Sequence, residues 1–251
     1  MKKSLFLVFF LLSYLSAEAF EVTPQRVFLN KRKMTDSLTV QNKWERDITV
    51  QLDLFKWTQD EEGKDKYEKS NDIIFYPKIF RLGAKENKIV RIGTKKKPGN
   101  TEQTYRLYLE EIPIEENKGE EAEPEAETQK MGFKMHLRYG IPIFISPEKD
   151  AINCEIGKVK LKENKLSVEI QNTGNLHLVI KKIEVRGYDE NKNILFQNEI
   201  PGWYLLAGCK RGYGLDLKEG VTDNLWSVEI DVFTDKRDFK GCVYKDKILV
   251  N

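Results

Sequence analysis

Histidine is almost absent from this 251-residue chain, which holds only His136 and His177. Neither stands at ligand spacing from a cysteine or carboxylate, so the pattern of a metal site or a His-based catalytic constellation is missing. No Gly-rich phosphate loop, nucleophile elbow or H-E-x-x-H stretch occurs. Glu110 and Glu111 are neighbours and would point to opposite faces of a strand. These absences argue against an enzyme and against a resident metal. An excess of one charge is also lacking. Lys and Arg number 42 against 40 Asp and Glu, a net charge of +2, which gives no reason to expect a nucleic-acid partner. No segment shows a convincing helical period, and none beyond the first twenty residues is long and apolar enough to span a membrane.

The chain does begin with an apolar run. In MKKSLFLVFFLLSYLSAEAF two lysines precede it, and Ala17-Glu18-Ala19 fits an A-x-A cleavage site. The run from Leu5 to Leu15 is short of the ~20 residues a membrane span needs. The expectation is therefore a secretory signal peptide over residues 1–19, cleaved before Phe20, rather than an uncleaved anchor. Loss of Lys2, Lys3 and Glu18 would bring the formal charge from +2 to +1. The mature chain, about 230 residues, has room for one large or two ordinary domains. Cysteine is scarce: Cys154, Cys209 and Cys242. Export permits disulfides, and one pair with one thiol left over is the simplest arithmetic. Cys209 and Cys242, both late in the chain, are the favoured pair.

What is present in abundance is alternation. Leu38 and Val40 alternate with polar residues in SLTVQN, and Ile48, Val50, Leu52 and Leu54 do so in DITVQLDLF. NKIVRIG, TYRLYLEEI, KVKLKENKLSVEIQN, LVIKKIEVRGY and LWSVEIDVFT continue the habit, with polar turns such as DENKN between them. Short alternating strands of this kind predict an all-β chain of sandwiches. TQDEEGKDKYEKSND reads as an exposed loop or hairpin tip. The acidic run from Glu115 to Lys130 reads as a solvated loop. The division between domains falls most naturally at Pro147-Glu148-Lys149-Asp150, giving one sandwich over 20–147 and a second over 148–251.

Between the acidic run and that division lies MGFKMHLRYGIPIFI, Met131 to Ile145. Met131, Phe133, Met135, Leu137, Tyr139, Ile141, Ile143 and Ile145 form one wholly apolar parity. Fully extended, the stretch would run about 50 Å, against about 17–20 Å for an ordinary strand. It must bend or overhang its own domain. Pro142 lacks an N–H and argues for an edge position or a bulge. Tyr139, Ile141, Ile143 and Ile145 suit the domain's own core. Phe133, Met135 and Leu137 exceed what a sandwich needs, and a long apolar edge invites pairing with a partner strand.

These segments, taken in order, resemble the periplasmic pilus-assembly chaperones, the PapD-like family of chaperone–usher systems. VTPQRVFLNKRKMTDSLTVQN resembles the opening strands, with Pro24, Arg26 and Asn42 in place. YPKIFRLGAKENKIVRI, YRLYLEEIP, RYGIPIFISP, QNTGNLHLVI and YLLAGCKRGYGLDL resemble further family segments. YRLYL and RYGIPIF are similar to the archaic or alternative branch. The resemblance implies two immunoglobulin-like domains in a boomerang and no cofactor. It implies that pilin subunits are bound by donor-strand complementation, kept from aggregating and passed to an outer-membrane usher. By register from Pro147, Phe133, Met135 and Leu137 match the subunit-inserting positions, with Tyr139 extending the set. Arg26 matches the arginine that anchors the subunit's C-terminal carboxylate. Its usual partner, a lysine, is replaced here by Pro142, which leaves Arg91, Arg106 and Arg138 as candidate second cations. The resemblance also implies a periplasmic protein that is not membrane-embedded after signal cleavage. A contrasting expectation is an exported immunoglobulin-like module that uses the whole apolar parity as core and carries ligands on its loops.

Overall fold

The protein is described by a computed structural model covering residues 20–112, 137–244 and 247–250. The expected signal peptide, the acidic run, Phe133, Met135 and His136 lie outside the described residues. Alternation in the sequence becomes strands throughout. The first ten are β1 (Phe20–Thr23), β2 (Val27–Leu29), β3 (Thr35–Asn42), β4 (Ile48–Gln59), β5 (Asp65–Lys69), β6 (Ile73–Tyr76), β7 (Ile79–Leu82), β8 (Asn87–Thr94), β9 (Gln103–Ile112) and β10 (Arg138–Ile145). They make two sheets, ordered β1-β3-β8-β6 and β2-β10-β9-β4-β5, with β7 also paired to β4. Between these sheets lie Leu38, Val40, Val50, Leu52, Val90, Leu107, Leu109, Ile141, Ile143 and Ile145, all buried.

The next nine are β11 (Glu155–Lys162), β12 (Lys165–Gln171), β13 (Leu178–Tyr188), β14 (Ile194–Pro201), β15 (Tyr204–Leu205), β16 (Lys210–Asp216), β17 (Ser227–Thr234), β18 (Phe239–Tyr244) and β19 (Leu249–Val250). They form sheets ordered β16-β12-β11-β19 and β14-β13-β17-β18, with β15 on β13. A separate core of Val168, Ile170, Ile183, Val185, Val228 and Ile230 lies between them. The architecture is thus all-β, two immunoglobulin-like sandwiches. Pro147–Asp150 falls in the stretch between β10 and β11.

The two sandwiches share a local device. Asn42, fully buried at the end of β3, donates through Nδ2 to the carbonyls of Arg46 at 2.7 Å and Gly83 at 2.9 Å. Its Oδ1 accepts the Trp44 N–H at 2.9 Å. Asn172, fully buried just after β12, donates to the carbonyls of Leu176 at 2.7 Å and Leu205 at 3.0 Å, and accepts the Gly174 N–H. Each amide satisfies loop backbone groups that would otherwise be buried without partners. Asn42→Ala is expected to destabilise the first sandwich by about 2–4 kcal/mol, since several buried groups lose their partner together. Urea denaturation monitored by circular dichroism measures this, and a change below about 0.5 kcal/mol would contradict it.

The register of β10 sets the geometry of its outer edge. Pro142 lies opposite Arg106 and Gly140 opposite Tyr108 on antiparallel β9. Glu111 donates its N–H to the Leu137 carbonyl at 3.2 Å, while the Ser146 N–H goes to Leu29 on the other side. By the alternation of an antiparallel ladder, odd residues of β10 bond to β9 and even residues face away from it. The proline ring therefore removes no β9 bond. Parallel β2 pairs only with Ile143, Phe144 and Ile145, so among the described residues Arg138 to Pro142 have no partner strand on that side.

The expected Cys209–Cys242 disulfide is not formed, and all three cysteines are free thiols. Cys242 lies on the exposed face of β18, whereas Cys209 is half-buried before β16, in the opposite sheet. Packed sheets stand about 10 Å apart, and a side chain that points out of one sheet cannot meet a residue of the other within disulfide geometry.

Candidate functional site

Alternation along β4, β9 and β10 leaves one parity for the core and the other for the outside of the sheet. On the outside stand Phe55 and Trp57 of β4, Arg106 and Tyr108 of β9, and Arg138, Gly140, Pro142 and Phe144 of β10. An outward face so rich in aromatics needs cover, and the second sandwich supplies part of it. Phe144 is completely buried, stacked on the His177 ring with centroids 3.8 Å apart and planes within 11°. Phe28 stacks on Phe144 at 5.4 Å. Trp57, also completely buried, meets Tyr204 edge-on at 5.0 Å. Leu206 completes the cluster. This packing joins the sandwiches along one side of the sheet.

Polar groups fix the joint. The buried Glu102 carboxylate accepts the His177 backbone N–H at 2.8 Å and lies 2.7 Å from its Nδ1. That contact assigns the ring proton to Nδ1 when the imidazole is neutral. The Glu102 N–H goes to the Asn175 carbonyl at 2.9 Å. The polar run after β4 forms a hairpin tip, as its composition predicts, yet that tip reaches the second sandwich. Gln59 donates to the Tyr204 carbonyl and accepts from the Leu206 N–H, each at 2.9 Å. Trp203 Nε1 donates to Asp65 at 2.9 Å, and Arg211 donates to the Gly63 carbonyl. Gly63 has φ of +78°, and a Cβ there would strike Arg211, so this close approach requires glycine.

At the edge of the joint two guanidinium groups converge. Arg106 lies 4.3 Å from the Trp57 ring centroid and 5.8 Å from that of Tyr204. Arg26, exposed just before β2, lies 5.5 Å from the same Tyr204 ring. Cation–π contact orients both cations while leaving their in-plane N–H groups free. Arg106 Nε and Nη2 and Trp57 Nε1 are buried, and no protein acceptor among the described residues reaches them. Buried donors without acceptors are costly, most of all on a cation. Exposed Arg26 and the accessible end of the half-buried Arg106 guanidinium are suited to a ligand with anionic oxygens, since a carboxylate matches a guanidinium fork. The Tyr204 phenol completes the wall. Burial raises its pKa above the ordinary tyrosine value, while Arg26 and Arg106 pull the other way.

The structure therefore brings Arg26 and Arg106 together and separates the other candidates. Arg91 lies on β8 in the opposite sheet, beside Ile74 and Tyr76 on its outer surface. Arg138 shares the Arg106 face but sits farther along β10. There it lies 4.0 Å from the Tyr108 ring centroid and 3.6 Å from Glu110. A Cβ at Gly140 would come within 2.9 Å of Tyr108, so the glycine gives that ring its place. Leu137 is half-buried against the first core, and Tyr139 is 38% exposed. Sequence reasoning missed Glu102, Trp57, Phe144 and Tyr204, and met His177 as a poor metal ligand and as part of a family-like segment, not as a ring of the joint. The aromatic outward parity of β4 and β10 was the available signal.

Comparison with known proteins agrees with this architecture. A family model described as pili and flagellar-assembly chaperone, PapD N-terminal domain, matches residues 19–150. No curated protein matches the chain in sequence. Among solved structures, the CsuC–CsuE chaperone–tip adhesion subunit pre-assembly complex from archaic chaperone-usher Csu pili of Acinetobacter baumannii is similar. The TM-score is 0.51 at 18% identity, over 77% of this chain and 89% of the other. The Salmonella enterica SafA pilin in complex with the SafB chaperone gives a TM-score of 0.58 at 15% identity, over 90% and 96%. The Pseudomonas aeruginosa CupB2 chaperone gives 0.53 at 14% identity, over 89% and 99%.

Proposed function

Because this chain belongs to the pili and flagellar-assembly chaperones that carry the PapD N-terminal domain, we propose that it is a periplasmic chaperone for pilin or fimbrial subunits. It binds a subunit by donor-strand complementation, prevents its aggregation and delivers it to an outer-membrane usher. Residues 1–19 act as a cleaved signal peptide. Residues 20–147 form the domain that donates a strand, and 148–251 form the second sandwich. The donated strand carries Phe133, Met135, Leu137 and Tyr139, and the even-residue edge of β10 supplies its main-chain hydrogen bonds. No nucleotide or other cofactor takes part. The related structures fit this role, since they hold a chaperone with a tip adhesion subunit in one case and with a pilin in another.

The observation that carries the reading is the pairing of Arg26 with Arg106 beside an unpaired strand edge. Arg106 projects from the residue opposite Pro142, so a cation on β9 stands next to the place where a lysine on β10 would have been. The accessible end of the Arg106 guanidinium and exposed Arg26 grip the subunit's terminal carboxylate, and the strand register then follows from that fixed point. Leu137→Glu, tested by co-expression with a pilin subunit that co-purifies with the parent, is expected to lower the co-purified subunit by about tenfold or more, the value of one buried aliphatic side chain. Thermal melting of the free variant controls for folding, because Leu137 also touches the first core. A folded variant with unchanged subunit yield would overturn the donor-strand assignment.

A further inference from the structure

We infer that Tyr204 is a ligand-binding residue of the carboxylate site, donated by the second sandwich as a third hydrogen-bond donor beside Arg26 and Arg106. The inference rests on the proposed carboxylate anchor and deepens it. Both arginines otherwise come from the first sandwich, Arg26 before β2 and Arg106 from β9. Tyr204 is the aromatic that both approach, at 5.5 and 5.8 Å. Its ring is held on several sides, by Trp57 at 5.0 Å, His177 at 5.8 Å and Trp203 at 5.9 Å. Its backbone is fixed by pairing with Val179 and by the Gln59 amide. A phenol held this firmly donates its O–H without losing rotamer freedom on binding.

The chemistry favours a donor at this point. A phenol has one proton to give, and among the described residues it has no hydrogen bond to a protein acceptor that would compete. The two cations set charge, whereas a neutral donor with fixed direction discriminates an oxygen from another group at the same place. A terminal carboxylate presents acceptors only. A terminal amide presents one acceptor and an NH2 group, which would face the donors of Tyr204 and the guanidinium forks. Tyr204 therefore sharpens selectivity for a free chain terminus, and it makes that selectivity depend on both sandwiches at once.

The test uses a fluorescent short peptide of alternating valine and threonine, made with a free C-terminal carboxylate and as the C-terminal amide. Affinity of the mature protein for both forms is measured for the parent, Tyr204→Phe and Arg26→Ala. Phenylalanine keeps the ring packing and removes only the hydroxyl. The acid-over-amide affinity ratio is expected to fall about tenfold or more in Tyr204→Phe, as for a hydrogen bond to a charged group. Its melting temperature should match the parent's. An unchanged ratio in Tyr204→Phe with a collapsed ratio in Arg26→Ala would overturn the role of Tyr204 and leave the anchor standing. Unchanged ratios in both variants would overturn the anchor and the inference together.

Discussion

Replacing Arg106 with alanine is expected to reduce subunit binding by about two to three orders of magnitude, and replacing Arg26 by a similar factor. Truncating one member of a desolvated charge contact costs about 2–5 kcal/mol or more, because the other partner is left buried and unpaired. The two losses should not add, since in the proposed anchor both cations support the same carboxylate. The double variant is then expected to bind little worse than either single one, a signature of shared function. Arg106→Lys separates charge from fork geometry. It restores charge but neither the bidentate grip nor the stacking on Trp57, so only partial recovery is expected. Isothermal titration with a purified subunit reads all four variants. Full additivity would indicate two independent sites, and near-parental binding by Arg106→Ala would remove Arg106 from the anchor.

Phe144→Ala should be the most destabilising single change at the joint. The ring is fully buried and touches Phe28, His177, Trp57 and Tyr204 within one cluster. Removing a buried phenylalanine costs about 3–5 kcal/mol. The loss falls between the sandwiches rather than within either, because neither internal core includes Phe144. Denaturant unfolding is therefore expected to begin with separation of the domains, and the tryptophan emission, to which buried Trp57 contributes, should shift to the red before the β-sheet signal is lost. Coincident transitions at the parental midpoint would show that the stack carries little of the stability.

The all-β architecture was legible because burial of one sheet face imposes a period of two, visible in Ile48–Leu54 and Ile141–Ile145. The proposed anchor was legible only in outline. The family resemblance singled out Arg26 and left three further arginines as candidates, but which sheet and which face each occupies depends on pairing across the whole domain. Arg91 and Arg106 look alike in sequence and end in opposite sheets. Phe144 lay on the parity read as polar, since a strand's outward face is read as solvated unless a second domain covers it. His177 is buried for the same reason. Tyr204 escaped notice because its role comes from residues 98 and 178 positions upstream, brought together only by the joint. The cysteines misled because proximity in sequence carries no information about which sheet, or which face, a thiol will occupy.

Pro142 has a consequence for how a bound strand would leave. Its missing N–H faces the outer edge, where β2 has already ended, so a strand zipped along Arg138 and Gly140 meets a skipped rung at Pro142. The proposed arginine anchor stands beside that skipped rung, since Arg106 lies opposite Pro142. A bound strand would be held most firmly there, by its carboxylate, and would fray first from the opposite end, out along Arg138. The charged contact would then be the last to break.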